Sequence, residues 1–369
     1  MFGVFRTILA LAVVIGHLHG PSQFGIYAVF GFYILSGYLM TYIMHESYGY
    51  SLKGRYRFAL NRFLRIYPTY WVAIGISLAL LIAYGAKVTD YHAAITMPDS
   101  LKTWLENIFI VLSTEDPIRL SPPTWALSVE LFNYILIGIG ISKFKRGAVL
   151  WLIASIFYTA YLLITNFENW AIRYYTVWAS SLPFALGACT YHYREQLLGY
   201  FNRLPIRAPY FWLGLTGFNF VATFVINYKI LDGWIYNGGF YINLVLIFIC
   251  VLAFAQYKPK WYSSKIDNYI GNYSYPIYLV HWQAGALVLC LSGGKLHYGY
   301  LQPTGILFMV VGAITSIIIS AIIVHLVDEP IQKLRKRIKR NNGSKSSPSG
   351  VPAQAQAVCV NEEVRAESN

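Results

Sequence analysis

The sequence predicts an all-α protein, a polytopic membrane bundle of about ten transmembrane helices with both termini in the cytoplasm. Of its 369 residues, 56% are hydrophobic and only 12% are charged, and the mean hydropathy is +0.47. Ordinary soluble domains do not combine these values. The apolar runs are each about twenty residues long, which is the length of a membrane-crossing helix and twice that of a barrel strand.

Ten spans are predicted, each with ends uncertain by a few residues. They cover about 4–20, 25–44, 66–86, 122–141, 148–165, 173–192, 208–226, 239–256, 271–291 and 303–327. The first is expected to be a retained helix and not a cleaved signal peptide, because no small-x-small cleavage site follows it. Together these spans form one membrane domain, residues 1–330.

The positive charge sets the predicted orientation. Of the 29 Lys and Arg residues, 23 fall on one side of the predicted spans, which is the cytoplasmic side under the positive-inside rule. The net charge of +13 is therefore explained by topology, without a nucleic acid partner. Residues 331–340 are predicted to be a basic amphipathic cytoplasmic segment and 341–369 a disordered cytoplasmic tail.

The first span carries two buried polar side chains, Arg6 and His17. In a helix the eleven-residue step between them turns about 1100° and rises about 16 Å, so both lie on one face. Such groups are costly in a bilayer unless they face protein or a water-filled cavity, which marks them as a candidate functional site. A hydrogen-bonded structural histidine is an equally good interpretation. His19 lies about 200° from His17, so the two cannot share a metal, and no metal site is predicted.

A carboxylate enters the membrane in the fourth span. The stretch PPTWALSVE at 122–130 places Glu130 about 12 Å into that span, where it needs a cation, a histidine or a proton. The alternative role is a hydrogen bond that locks the helix.

The ninth span contains SYPIYLVHW at 274–282. Ser274, Tyr278 and His281 follow at i, i+4 and i+7, so they form one stripe and are expected to face the same cavity. An aromatic belt would account for the tyrosine as well.

Arginines concentrate in the predicted cytoplasmic loop before the third span. Arg57, Arg62 and Arg65 stand at i, i+5 and i+8, and their guanidinium forks suit the phosphates of a nucleotide-bearing donor. Topology and lipid headgroups would account for the same charges.

These stretches, in this order, resemble the acyltransferase family 3 membrane proteins, which O-acylate bacterial surface polysaccharides and related glycans. The resemblance covers most of residues 1–330 and also rests on GFYILSGYL at 31–39 and on Glu329-Pro330. The family's arginine run often has a fourth member where this chain has Asn61. With no hydrolase-like domain appended, the resemblance is to the stand-alone branch, which implies a multi-pass protein of the bacterial inner membrane.

The resemblance implies an enzyme that moves an acyl group, most simply acetyl, from cytoplasmic acyl-CoA to a glycan hydroxyl. Acetyl-CoA would then be a co-substrate, with no permanently bound cofactor. His17 is expected to be the catalytic base or a transiently acylated nucleophile, oriented by Glu130. Donor binding is expected of four arginines, Arg6, Arg57, Arg62 and Arg65. The substrate cavity is expected to be lined by Ser36, Ser274, Tyr278 and His281.

Two other classes remain open from the residues alone. A transporter or flippase of lipid-linked glycans would also need buried His and Glu and a basic cytoplasmic face, although no self-similarity of the two halves is visible. A glycan polymerase would need large outer loops rich in arginine. The largest outer loop here, 87–121, carries only Lys87, Lys102 and Arg119.

Overall fold

The computed structural model describes residues 2–20, 22–110, 118–230, 233–256, 263–297, 299 and 302–340, and every regular element among them is a helix. The tail 341–369, predicted to be disordered, lies outside the described residues. The α-helices are α1 (Phe2–His19), α2 (Ser22–Ile43), α3 (Leu52–Tyr84), α4 (Ala86–Tyr91), α5 (Leu101–Phe109), α6 (Thr124–Ile139), α7 (Lys145–Thr165), α8 (Trp170–Tyr175), α9 (Ser181–His192), α10 (Arg194–Phe201), α11 (Pro209–Ile230), α12 (Gly233–Gln256), α13 (Ser264–Leu291), α14 (Pro303–Ile323) and α15 (Glu329–Arg340).

The all-helical class predicted from the sequence is confirmed for the described residues. Seven of the helices there are long and apolar enough to cross a membrane, and they lie in α1, α2, α3, α7, α11, α12 and α14. Helices α6 and α13 coincide with two further predicted spans. The count of ten and the cytoplasmic position of both termini stay predictions.

The sixth predicted span, 173–192, is not one continuous helix. Helix α8 ends at Tyr175 and α9 begins at Ser181, with a turn between them. Pro183 lies in the first turn of α9, where proline is tolerated because the backbone N–H that it lacks would have no helical partner there. The apolar run alone does not reveal this break.

Residues 45–65 were predicted to form a cytoplasmic loop, and this prediction was wrong because most of them are helical. A π-helical segment, Met44–Tyr48, follows α2 directly and ends shortly before α3 begins at Leu52. Ser51 caps α3 by accepting a hydrogen bond from the Gly54 N–H at 3.1 Å. At 1.5 Å per residue, α3 is about 50 Å long, well beyond the hydrocarbon thickness of about 30 Å. The arginines thus sit on a rigid helical extension of a span.

Helices α1 and α13 pack side by side and run in the same direction. Near their N-termini, Asp267 accepts hydrogen bonds from the backbone N–H groups of Gly3 and Val4, each at 3.0 Å. Near the other end, His17 contacts His281. The contacting residues are 264 positions apart in the sequence at both ends, so the two helices keep the same register along their length. The face of α1 that carries Arg6 and His17 therefore lies against α13, which agrees with the single stripe predicted from their spacing.

Candidate functional site

A small cavity lies between α1, α2, α3, α6 and α13, and we call it the arginine cavity. Its volume is about 120 Å³. It is lined by Arg6, Val29, Phe32, Tyr33, Leu35, Ser36, Leu39, Met40, Arg62, Arg65, Ile66, Ala126, Leu127, Glu130, Tyr134, Ser274, Tyr275 and Tyr278. Predicted site residues from five separate stretches of the sequence therefore meet at one place.

Arg6 reaches this cavity through the close contact of α1 with α13. A Cβ atom on Gly271 would lie 2.6 Å from the Cα of Gly3 and 2.9 Å from Nη2 of Arg6, so glycine at this position leaves room for the guanidinium. The Arg6 Nε is buried and has no hydrogen-bond partner among the described residues. A buried donor without a partner costs free energy, and an anion in the cavity would satisfy it.

Two of the three α3 arginines that were predicted to bind the donor line the same cavity. Arg65 pairs with Asp328 at 3.7 Å between Nη1 and Oδ2 and lies over the Tyr275 ring at 5.7 Å. Arg62 donates from Nη2 to Oδ1 of Asn61 at 2.9 Å. Arg57 is not among the lining residues in the described structure. The five-residue step from Arg57 to Arg62 turns a helix by about 500°, which places the two on different faces.

Glu130 is held by hydroxyl groups. It accepts a hydrogen bond from the Ser36 hydroxyl at 2.6 Å and another from the Tyr134 hydroxyl. We expected Glu130 to orient His17, but the described structure places no contact between them. Glu130 lies in the arginine cavity, while His17 lines a different one.

The ring that contacts His17 is His281, which is fully buried. His281 Nδ1 lies 2.7 Å from the carbonyl oxygen of Tyr278, and because a carbonyl only accepts, this nitrogen carries the proton and donates. In neutral His281 the Nε2 is then an acceptor, and it lies 2.7 Å from Nδ1 of His17. His17 Nδ1–H therefore donates to His281, which leaves Nε2 of neutral His17 unprotonated.

His17 lines a second and larger cavity, which we call the histidine cavity. Its volume is about 620 Å³, within the range of small-molecule sites, and it is lined by Gly16, His17, Gly20, Asp90, Tyr91, Trp282, Leu289 and His297. The Trp282 ring stacks on His17 with the centroids 5.1 Å apart and so fixes the plane of the imidazole. Gly25 of α2 lies over Nε2, where a Cβ would stand 3.2 Å away.

The predicted stripe on α13 divides between the two regions. Ser274 and Tyr278 line the arginine cavity, whereas His281, one turn further along, is buried against His17. Sequence reasoning missed three features of the site: Tyr134, Trp282 and the acceptor role of His281. A search for aromatic and hydroxyl residues one turn from each predicted polar group would have found the first two.

Comparisons with known proteins show the family of this chain. The family model described as "Acyltransferase domain" matches residues 2–325. O-acetyltransferase OatA of Staphylococcus aureus (strain NCTC 8325 / PS 47) is 24% identical over 298 residues, covering 75% of this chain and 49% of the relative. SACOL0978 of S. aureus (strain COL), which has a provisional O-acetyltransferase name, is 23% identical over 303 residues with the same coverage.

The chain spans about half the length of the curated relatives that it matches. No solved structure matches it with significance. The family model nevertheless covers nearly all of the residues that form the helical bundle and both cavities. On that match, the chain belongs to the acyltransferase family 3.

Proposed function

We propose that this protein is a membrane O-acyltransferase that moves an acyl group, most simply acetyl, from acyl-CoA to a hydroxyl of a surface polysaccharide or related glycan. The observation that carries the proposal is the hydrogen-bonded chain from the Tyr278 carbonyl through His281 to His17. It leaves Nε2 of His17 unprotonated, and His17 lines the histidine cavity, a combination that suits a general base.

The proposed reaction needs one proton acceptor and no metal. The acceptor hydroxyl oxygen bonds to the thioester carbonyl carbon while its proton passes to Nε2 of His17. When the tetrahedral intermediate collapses, the carbon–sulfur bond breaks and the proton returns from His17 to the sulfur of coenzyme A. His281 stays neutral and holds His17 through Nδ1, as the orienting member of a catalytic triad does.

The donor is assigned to the arginine cavity because its charges suit phosphates. Arg6, Arg62 and Arg65 present guanidinium groups there, and two carboxylates, Glu130 and Asp328, only partly offset them. The eleven residues from Arg6 to His17 rise about 16 Å along α1, so the long pantetheine arm of coenzyme A is suited to reach the base from this anchor. Positive-inside topology puts this end of the bundle in the cytoplasm, where acyl-CoA is found.

The acceptor is assigned to the histidine cavity. Trp282 offers an aromatic face beside the base, and Asp90 offers hydrogen-bond acceptors for hydroxyl groups. Aromatic faces with a few polar groups are typical of sites that bind small polar molecules such as sugars. The O-acetyltransferase name of OatA supports an oxygen acceptor and an acetyl group for this chain as well.

The test is mass analysis of the surface polysaccharide from cells with and without the gene. We expect the intact polymer to lose acetyl units when the gene is deleted and to regain them on complementation. A missing or shortened polymer with unchanged acetyl content would instead support a flippase or polymerase.

The glycine over the base gives a further prediction. In Gly25→Ala the new methyl group would stand 3.2 Å from the Nε2 of His17 and obstruct the approach of the acceptor hydroxyl. We expect kcat for acetyl transfer to fall by about ten- to a hundredfold, because small displacements of reacting groups are costly. Gly75→Ala is the matched control, since its Cβ would meet open space. Equal kcat values for the two variants would contradict the assigned position of the acceptor.

A further inference from the structure

Helix α15 returns to the arginine-bearing part of α3. Arg335 donates two hydrogen bonds to the same atom, Oδ1 of Asn61, from Nε at 3.2 Å and from Nη2 at 3.0 Å. Asn61 is buried, with 4% of its surface exposed. The predicted amphipathic segment 331–340 is therefore helical, but one of its arginines is turned inward and contacts the membrane domain.

The Asn61 oxygen also accepts the hydrogen bond from Nη2 of Arg62. One neutral amide oxygen thus fixes two guanidinium groups from different helices, and it neutralises neither of them. Asn61 stands at the position where the family resemblance led us to expect a further arginine. The structure supplies an arginine from α15 instead.

Two like charges held together need an anion to offset their repulsion. Two carboxylates lie near this cluster in the part of the chain that the structure describes. Asp328 already pairs with Arg65 and accepts a hydrogen bond from Thr69. Glu130, which lines the same cavity as Arg62, already accepts hydrogen bonds from two hydroxyl groups. The Nε of Arg62 is buried without a hydrogen-bond partner in the same part of the structure. The cluster therefore retains positive charge and an unused donor beside a cavity that Arg62 lines.

We propose that Arg335 is an additional donor-binding residue, which acts with Arg62 as a pair of guanidinium forks for a phosphate group of the acyl-CoA donor. Bidentate guanidinium–phosphate contacts are among the strongest charged hydrogen bonds in proteins. The identity of the donor rests on the function proposed above. The same phosphate chemistry occurs in anionic lipid headgroups, and the experiment is designed to separate the two sources.

The test compares two acetyl donors with the full-length protein in nanodiscs of zwitterionic lipid. Acetyl-CoA carries the phosphates, whereas acetyl-pantetheine has the same thioester and no phosphate. For Arg335→Gln we expect KM for acetyl-CoA to rise by about ten- to a hundredfold, as for the loss of a charged hydrogen bond, with little change in kcat. The kinetic constants for acetyl-pantetheine should not change. Arg335→Lys, which keeps the charge and loses the fork, should lie between wild type and Arg335→Gln.

Arg337→Gln is the matched control, because it removes the same charge from an exposed position on the same helix. Equal acetyl-CoA kinetics for Arg335→Gln and Arg337→Gln would overturn the proposal, as would an equal loss of kcat with both donors. An effect of Arg335→Gln that appears only when anionic lipid is added would assign the site to a headgroup and overturn the donor role.

Equilibrium binding of coenzyme A to the same nanodiscs provides a measurement that needs no turnover. If the wild-type protein and the Arg335→Gln variant bind coenzyme A equally well, only the role of Arg335 is refuted. Wild-type protein that neither binds coenzyme A nor transfers acetyl would refute the proposed function, and the inference with it.

Discussion

Replacing His17 with alanine is expected to reduce acyl transfer by about 10²- to 10⁴-fold, the usual contribution of a general base. In the described structure His17 lines the histidine cavity with Nε2 unprotonated, and none of the other residues lining that cavity stacks on Trp282 and bonds to a second imidazole as His17 does. The measurement is single-turnover transfer from radiolabelled acetyl-CoA by purified protein in nanodiscs.

Two controls separate lost chemistry from lost structure. His19→Ala changes the same residue type two positions further along α1, and His19 is not among the residues that line either described cavity. Its activity should stay near that of the wild type. Coenzyme A binding by His17→Ala should also be unchanged, because Arg6 lies about 16 Å away along α1 and the other donor-binding arginines lie on other helices. Transfer by His17→Ala at the wild-type rate would exclude His17 as the base.

The local parts of this site could be predicted from the sequence because they depend on helix geometry. An eleven-residue step closes three helical turns, so Arg6 and His17 had to share a face, and the cost of burying them required that face to meet protein. The structure agrees, since both residues lie against α13. The helical class was predictable for the same reason, because apolar runs of this length satisfy their backbone only as helices.

The long-range pairings could not be predicted in this way. His17 and His281 are 264 positions apart, and no periodicity in either span encodes which partner an imidazole will have. Glu130 was a reasonable partner for His17 on chemical grounds. The choice depends on the register of α1 against α13 and of α2 against α6, which packing decides. The Ser36 and Tyr134 hydroxyls next to Glu130 satisfy the carboxylate within the arginine cavity.

The arginines show a different limit of sequence reasoning. Arg57, Arg62 and Arg65 were assigned to a loop because charged residues seldom continue an apolar span. The Ser51 cap begins α3 ahead of the arginines, and the helix extends through all three and past Pro68. Once they are on a helix, the five-residue step puts Arg57 about 140° around the axis from Arg62. No local sequence pattern indicates the role of Arg335, since it contacts Asn61, which is 274 positions away in the sequence.

The second large effect is expected at His281, which does not itself face the histidine cavity. His281→Leu removes the acceptor of the His17 Nδ1–H hydrogen bond, so the imidazole loses both its fixed tautomer and its fixed orientation. We expect kcat to fall by about 10²- to 10⁴-fold, the range set by general-base catalysis and by wrong-tautomer variants of catalytic triads. KM for acetyl-CoA should change little, because the phosphate-binding arginines are untouched. Gln in place of His281 offers an amide oxygen as acceptor and should recover part of the loss.

A double-mutant cycle distinguishes this positioning role from a separate contribution to stability. If His281 acts only through His17, the variant that combines His17→Ala with His281→Leu should be no slower than His17→Ala alone, because residues that act as a unit are strongly non-additive. If the two losses multiply instead, His281 must affect catalysis by another route, such as the packing of α13 against α1. Thermal unfolding of all three variants, measured alongside, would show whether that packing had changed.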